Sequence, residues 1–188
     1  SNINALDKLI TTVKSEKLHI DVLINNAGIT GEKKPFKDIH VKEWQKIYDT
    51  NVLGPSYLTK HIAQIMAESK ICGSIIFITS IHQWTIRGLS SYSTSKAALG
   101  MLVKELALEY AQYKIRVNGI APGWTEEDDS GNPLYHGATP LYQSSINPRY
   151  IGRAAVYLTS DYFSRFTTGS IIKIDAGLSL HNHLSLMK

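Results

Sequence analysis

Four short runs of apolar and β-branched residues divide this chain, and segments with helical periodicity separate them. The runs cover residues 20–25, 74–79, 115–120 and 170–175. Runs of this length and composition are typical of strands that are buried on both faces of a sheet. Strands that alternate with helices imply right-handed crossovers and a parallel sheet. The pattern therefore predicts an α/β fold.

Helical periodicity occupies the intervals between these strands. In the first interval, apolar residues recur at helical spacing at Leu6, Leu9, Ile10 and Val13. Further helices are predicted over residues 41–67, 91–110 and 149–160. Pro55 is expected to kink the first of these three. Helices on both faces of one sheet form a three-layer αβα structure, and the length of 188 residues predicts a single domain over 1–188.

Residues 123–150 differ in character from the rest of the chain. They are rich in glycine, proline, serine, asparagine and aromatic residues, and they include an acidic run at 126–129. Long irregular segments within compact α/β domains are usually lids or binding loops. A disordered insertion is the alternative.

Composition limits the classes of function. The formal net charge is +4 and the lysines are scattered, so a nucleic-acid partner is not expected. The longest apolar stretch is far shorter than a membrane span, and no membrane association is expected. Cys72 is the only cysteine, which excludes an internal disulfide and indicates a reducing, cytoplasmic compartment. No metal site is predicted.

Tyr92 and Lys96 lie four residues apart in a predicted helix, a spacing that places a phenol and an ammonium on one face. A nearby cation favours the phenolate, so this tyrosine could exchange a proton with an alcohol or a carbonyl. The spacing alone is weak evidence, because Tyr110 and Lys114 repeat it at a helix end. We interpret that second pair as structural.

Two further polar residues support the first pair. Ser80 ends the second predicted strand, where its hydroxyl could bind the same substrate oxygen as the phenol. A turn or cap residue is the alternative interpretation. Asn51 lies within a predicted helix, where asparagine is a mediocre helix former, and a buried amide there could position water or the lysine. A satisfied surface asparagine is the alternative.

Small residues follow three of the predicted strands. Asn25, Asn26, Ala27 and Gly28 come at the end of the first, Pro122 and Gly123 after the third, and Asp175 to Gly177 after the fourth. Ligands of doubly wound sheets bind beyond the carboxyl ends of strands, and small residues there let a nucleotide approach the backbone. Each segment could also be only a turn.

Taken in order, these motifs resemble the short-chain dehydrogenase/reductase family. The resemblance implies a hydride transfer between NAD or NADP and a small carbonyl or alcohol substrate. Tyr92 would donate or accept the proton, Lys96 would lower its pKa and hold the nicotinamide ribose, and Ser80 would orient the substrate oxygen. Asn51 would complete the proton relay. The cofactor would also contact Asn26, Ala27, Gly28, Pro122, Gly123 and Thr125.

One motif of that family is absent from this sequence. Family members begin with a strand and a glycine-rich turn that receives the pyrophosphate at a helix N-terminus. The chain is therefore expected to be N-terminally truncated and to hold the last four strands of a partial Rossmann-like, doubly wound sheet. The strand over 20–25 would then have an unpaired edge, and the chain alone is expected to be feeble or inactive.

The substrate and the assembly are less constrained by the sequence. His82, Trp84 and Trp124 follow strand ends and are candidates for substrate contacts, which would suit a polyol, a sugar-like molecule or a cyclic ketone. Ordinary loop residues are the alternative for all three. The resemblance implies a homo-oligomer that associates through the helices over 41–67 and 91–110. A non-catalytic binding or scaffold protein derived from an oxidoreductase is the alternative to an enzyme.

Overall fold

The computed structural model describes residues 2–134, 137 and 139–180 of the chain. One sheet of four parallel strands, arranged in chain order, forms its centre. The strands are β1 (Val22–Asn25), β2 (Ser74–Ile78), β3 (Arg116–Pro122) and β4 (Ile171–Ile174). The predicted parallel sheet is confirmed, although β1 begins two residues later than its apolar run and β3 continues to Pro122.

Helices cover both faces of this sheet. They are α1 (Ile3–Ser15), α2 (Val41–Tyr48), α3 (Gly54–Glu68), α4 (Ser90–Tyr110), α5 (Arg149–Thr159) and the short α6 (Asp161–Ser164). None of the helices in the described ranges is both long enough and apolar enough to cross a membrane. The predicted helices are therefore present, with one internal interruption in the segment over 41–67.

The two hydrophobic cores follow from the alternation of side chains along each strand. In β2, Ile75 and Phe77 pack with α1, α3 and α4 on one face, whereas Ile76 packs with α5 on the other. All three side chains are fully buried. Because successive strand residues point to opposite faces, a continuous apolar run supplies both cores at once. The structure is therefore the predicted three-layer αβα arrangement.

The interruption between α2 and α3 is a π-helical turn over Asp49–Leu53. The amide of Gly54 donates to the carbonyl of Asp49, five residues earlier, and Pro55 follows in the first turn of α3. Proline lacks an amide hydrogen, so it fits best where a helix begins. The kink predicted at Pro55 is thus replaced by a wide turn before it, and this turn contains Asn51.

The segment over 123–150 has no regular helix or strand before α5 in its described part, but it is held by specific contacts. The Ser145 hydroxyl donates to the carbonyl of Glu126 at 2.7 Å and accepts from the amide of Leu134 at 2.7 Å. The amide of Ile146 donates to the Trp124 carbonyl at 2.8 Å. The described residues of this loop, including the acidic run, are therefore ordered by hydrogen bonds, contrary to a disordered insertion.

Strand β1 forms one edge of the sheet. It pairs with β2 alone within the described residues, and Val22 and Ile24 are 40% and 46% exposed. Apolar side chains at a free strand edge are a liability for solubility. The predicted unpaired edge is therefore present in the structure.

Candidate active site

A cavity of about 170 Å³ lies at the carboxyl ends of β1, β2 and β3. Residues from the loops after these three strands and from the first turns of α4 line it. Eight of the residues singled out in the sequence share this lining, namely Asn26, Gly28, Ser80, Tyr92, Lys96, Pro122, Gly123 and Thr125. Parallel topology explains the convergence, because carboxyl ends of parallel strands meet at one edge of the sheet.

Tyr92 and Lys96 lie on the same face of α4, as their spacing predicted. The Lys96 ammonium is 5.6 Å from the centre of the Tyr92 ring, and it donates to the carbonyl of Ile78 at 2.8 Å. Lys96 is only 4% exposed, and this burial lowers its pKa to about 8. The helix thus carries a desolvated cation next to a phenol.

The pKa of Tyr92 differs from the expectation drawn from the sequence. Burial raises this pKa, and a hydrogen bond with the Ser80 side chain opposes the rise without cancelling it. The predicted lowering by Lys96 is not found: the ammonium lies over the ring, and it donates to the Ile78 carbonyl. In this structure the phenol therefore favours its protonated form.

Ser80 combines the two interpretations that the sequence left open. It begins a 3₁₀ turn over Ile81–Gln83, and its hydroxyl oxygen accepts from the amide of His82 at 3.2 Å. The same side chain hydrogen bonds to the Tyr92 phenol. Because this contact favours the phenolate, Ser80 is its donor, and a substrate oxygen in the cavity would accept the same hydroxyl hydrogen in place of the phenol.

Asn51 is fully buried beneath the cavity and does not line it. Its Oδ1 accepts from the amide of Ile29 at 2.8 Å, and its Nδ2 donates to the Ile29 carbonyl at 2.9 Å and to Ser95 Oγ at 3.0 Å. The interpretation as a surface asparagine is therefore wrong. The amide joins the loop after β1 to α4.

The two strand-end glycines serve different purposes. A Cβ atom on Gly28 would lie 3.4 Å from both Asn51 Oδ1 and Lys96 Nζ, in ordinary contact, so the glycine leaves open space above these groups. A Cβ on Gly123 would lie 2.8 Å from the Cα of Asp175, which the backbone could not accommodate. Gly123 therefore permits the close approach of the ends of β3 and β4.

Asp175 has a structural role in the described residues. Its carboxylate accepts from the amides of Gly177 at 3.1 Å and Ser179 at 2.8 Å. Ala176 and Gly177 both have positive φ, which is typical of a tight turn. The interpretation of this segment as a turn fits these contacts.

The remaining sequence candidates lie outside the lining of this cavity. Ala27 is exposed between two lining residues. Trp84 is 52% exposed and lies under the Lys173 ammonium at 5.3 Å, and Trp124 is 44% exposed and donates to Glu126 Oε2 at 2.8 Å. His82 packs edge-on against the Tyr92 ring. None of the three predicted substrate contacts lines the cavity in the described part of the chain.

Sequence reasoning missed three contributors to the site. The Ile78 carbonyl binds Lys96, the backbone of Ile29 binds Asn51, and the Ser95 hydroxyl accepts from the same amide. Ser95 could have been found, because helical spacing places it one turn after Tyr92. Backbone acceptors have no residue-specific signal, so the other two could not.

A second, larger cavity of about 900 Å³ lies beside β4. Its described walls come from Pro133, residues 141–147, α5, β4 and the turn after β4, and they share no residue with the lining of the first cavity. Of the catalytic and strand-end candidates from the sequence, only Asp175, Ala176 and Gly177 lie in its described walls. Across the ranges that the structure describes, no group of three or more histidine, cysteine, aspartate or glutamate side chains could hold a metal ion.

Comparison with known proteins agrees with this geometry. A family model described as enoyl-(acyl carrier protein) reductase matches residues 1–179. The chain belongs to the short-chain dehydrogenase/reductase family. The fold and family predicted from the sequence are therefore confirmed, and the protein is an oxidoreductase of this type.

Individual members of the short-chain dehydrogenase/reductase family extend this result. An uncharacterized oxidoreductase, YohF, of Escherichia coli (strain K12) is 36% identical over 95% of this chain and 70% of its own length. Glucose 1-dehydrogenase 2 of Bacillus subtilis (strain 168) is 29% identical over 96% of this chain and 72% of its own. A solved structure of 4-hydroxyisoleucine dehydrogenase complexed with NADH and succinate superimposes with a TM-score of 0.84 at 34% identity, over 96% and 78% of the two chains.

Proposed function

We propose that this protein interconverts a small carbonyl compound and the matching secondary alcohol, with NAD or NADP as its cofactor. The observation that supports this most strongly is the convergence of Ser80, Tyr92 and Lys96 on one cavity at the carboxyl ends of the strands. Two hydroxyl groups and a buried ammonium suit the polarisation of a carbonyl and the transfer of a proton.

The residues around the cavity fit the nicotinamide end of the cofactor. The open space above Gly28, which a Cβ would fill, lies next to Lys96 Nζ, a donor suited to ribose hydroxyls. At about 170 Å³ the cavity is smaller than typical ligand pockets of ~300–1,000 Å³, so it would enclose only the reacting ends of cofactor and substrate. Asn26, Gly28, Lys96, Pro122, Gly123 and Thr125 would hold this end, and the bound cofactor supplies or accepts the hydride.

The side chains divide the proton chemistry between them. During reduction the Tyr92 phenol donates its proton to the substrate oxygen, and the Ser80 hydroxyl donates a hydrogen bond to the same atom. For oxidation Tyr92 must first release its own proton, and the resulting phenolate then accepts the hydroxyl proton of the substrate alcohol. The raised pKa of Tyr92 leaves the phenol in its protonated form, which is the form that donates to the substrate oxygen during reduction.

The contacts of Asn51 support a positional contribution in place of direct proton relay. Both atoms of its amide are engaged with Ile29, and its Nδ2 also binds Ser95. Through these bonds it holds the loop that carries Gly28 against α4. We infer that Asn51 keeps the cofactor side of the cavity aligned with Tyr92.

The proposal is tested by oxidation of NADH or NADPH in the presence of a panel of polyol-derived ketones, ketoses and cyclic ketones, followed by absorbance. Tryptophan fluorescence on addition of either cofactor measures binding independently of turnover, because Trp124 lies between two residues of the cavity lining. Turnover that Tyr92→Phe abolishes is the expected result. Cofactor binding without turnover on any substrate would instead support the binding or scaffold alternative.

We further propose that the 188-residue chain binds its cofactor weakly and turns over slowly. Its sequence contains no glycine-rich turn of the kind that receives a pyrophosphate at a helix N-terminus. Fluorescence titration with NADH and NADPH gives the dissociation constants. Affinity equal to that of the YohF protein of Escherichia coli, measured in parallel, would contradict the proposal.

We also propose a homo-oligomer that associates through α2, α3 and α4. Large apolar side chains are exposed along these helices and the turn between them at Val41, Leu53, Met101 and Leu108, which are 71%, 55%, 56% and 80% exposed. Light scattering on Leu108→Glu should show a smaller particle than the wild type. Phe166→Glu, which removes a 97% exposed ring elsewhere, is the control, and dissociation by that change alone would contradict this interface.

A further inference from the structure

His82 contacts both proton-handling side chains without lining the cavity. Its backbone amide donates to Ser80 Oγ at 3.2 Å, and its imidazole packs edge-on against the Tyr92 ring, with centroids 5.0 Å apart and an interplanar angle of 78°. Its Nδ1 lies 3.0 Å from Ser93 Oγ. We propose that His82 is a positioning residue that holds the Tyr92 ring and shields it from water. This inference rests on the proposed function, in which Tyr92 transfers the proton.

The contact with Ser93 fixes the orientation of the imidazole. Ser93 follows Tyr92 in the first turn of α4, and its amide donates to the Leu89 carbonyl at 2.8 Å. Because neighbouring helical residues diverge by about 100° around the axis, His82 meets α4 at two separate points, the Tyr92 ring and the Ser93 hydroxyl. The Ser93 contact holds the imidazole in place, and the imidazole in turn resists rotation of the Tyr92 ring about its side-chain bonds. A single edge contact with an imidazole that is free to turn would not do so.

The imidazole acts without a charge. Burial, reinforced by the nearby cations Arg87 and Lys96, lowers the pKa of His82 to about 4. The ring is therefore neutral at physiological pH, and it neither repels the Lys96 ammonium nor competes as a proton donor. Its contribution to the site is shape, hydrogen bonding and exclusion of water from one edge of the phenol.

This arrangement predicts a measurable change at Tyr92. Burial raises the pKa of the phenol, so removal of the imidazole should admit water and return that pKa toward its ordinary value. In His82→Ala we expect the ionisation constant of Tyr92 to rise about threefold or more, which is a fall of roughly half a pKa unit. His82→Phe keeps an aromatic edge against the phenol and should leave the pKa close to that of the wild type. His82→Asn keeps a polar group near Ser93 but removes the ring, and should resemble His82→Ala.

The measurement uses the 188-residue chain labelled with 3-fluorotyrosine, because fluorination brings phenol titration into a milder pH range. Fluorine NMR follows each tyrosine, and Tyr92→Phe assigns the Tyr92 signal. A matched control exists on α3, where His61 packs edge-on against Tyr57 at 4.7 Å, outside the cavity. His61→Ala should leave the Tyr92 titration unchanged.

A Tyr92 titration in His82→Ala that matches the wild type overturns the proposal, as does an equal shift in His82→Ala and His82→Phe. Where turnover is measurable, we expect His82→Ala to lower kcat with little effect on the cofactor KM, and His82→Phe to restore part of the loss. The titration needs no turnover. Failure of the proposed oxidoreductase activity and failure of the His82 inference are therefore separate outcomes.

Discussion

The two cavities differ in volume, in the residues that line them and in whether those residues include the candidate catalytic groups. The larger, about 900 Å³, lies beside β4, and two of its charged residues already have partners within its own walls, since Asp175 accepts from the amide of Gly177 and Arg153 lies 4.9 Å from the Tyr150 ring. The smaller, about 170 Å³, brings Ser80, Tyr92 and Lys96 together. Volume therefore does not identify the candidate active site of this chain. Convergent polar groups at strand ends, two of them with shifted pKa values, do so.

The largest difference between the two cavities is expected when one tyrosine hydroxyl is removed from each and turnover is measured. We expect Tyr92→Phe to reduce turnover by ~10²–10⁴-fold, because a positioned proton donor contributes about this much. Tyr157→Phe makes the same chemical change in the wall of the larger cavity and should leave the rate within about twofold. Rates are measured as NADH oxidation on any substrate that the wild type accepts. Equal losses in the two variants would remove the distinction between the cavities.

Stability against pH gives the next largest effect. The pKa of Lys96 is lowered in the folded state, so between pH 8 and about 10.5 the unfolded chain binds more protons, and the stability of the wild type rises with pH. The destabilisation is fully present below pH 8 and amounts to about 3.5 kcal/mol at most, at ~1.4 kcal/mol per pKa unit. Lys96→Met has no buried ammonium at this position. The stability of the wild type should therefore rise relative to that of the variant between pH 8 and about 10.5.

Urea unfolding at a series of pH values measures this gain. The control is Lys173→Met, which changes an exposed lysine in the wall of the larger cavity. The difference in the free energy of unfolding between this variant and the wild type should not change with pH in the same way. A constant difference between Lys96→Met and the wild type from pH 7 to 10.5 would be inconsistent with a desolvated ammonium.

Replacement of a buried asparagine by alanine near each cavity compares the hydrogen bonds that hold the two sites together. Asn51 and Asn147 are both buried, and each makes three or more hydrogen bonds. We expect Asn51→Ala and Asn147→Ala each to reduce the free energy of unfolding by ~1–3 kcal/mol, because each leaves buried polar groups unpaired. Only Asn51→Ala should also weaken the fluorescence response to NADH. Similar cofactor titrations for the two variants would argue against Asn51 as a support of the site.

Glycine substitution should give the smallest effect on stability. Alanine at Gly28 meets Asn51 and Lys96 in ordinary contact, so stability should change by less than about 0.5 kcal/mol while cofactor binding weakens. Alanine at Gly152, in α5 with nothing within 4 Å, should stabilise the protein by ~0.5–1 kcal/mol through helix propensity and leave binding unchanged. Thermal unfolding and NADH titration of both variants check the pair. Unaltered binding in Gly28→Ala would mean that the space above Gly28 is not part of the cofactor site.

Much of the fold could be predicted because its signals are local. The apolar runs that became β1 to β4 and the helical spacing of Tyr92 and Lys96 depend only on residues near one another in the chain. The π-helical turn before Pro55 could not be predicted in the same way. A proline indicates where a regular helix is disturbed, but the backbone around it decides whether the result is a kink or a wide turn.

The candidate site shows the same division. The sequence predicted which residues meet in the candidate site. Parallel strands bring Gly28, Ser80 and Gly123 to one edge of the sheet once their positions at strand ends are known. His82, Trp84 and Trp124, the predicted substrate contacts, do not line this cavity, and their contact with a substrate stays a prediction. A residue just after a strand end can turn toward the cavity or away from it, and the 3₁₀ turn over Ile81–Gln83 brought the His82 imidazole edge-on against the Tyr92 ring.

By itself, the sequence determined the order of strands and helices and the alignment of a phenol with an ammonium on one helical face. Only the tertiary structure decided that the pKa of Tyr92 is raised, that Lys96 donates to a backbone carbonyl and that Asn51 joins two segments. The physical reason is that periodicity is a property of neighbouring residues. Desolvation and hydrogen bonding at this site depend on groups that are distant in the chain and meet only when it folds.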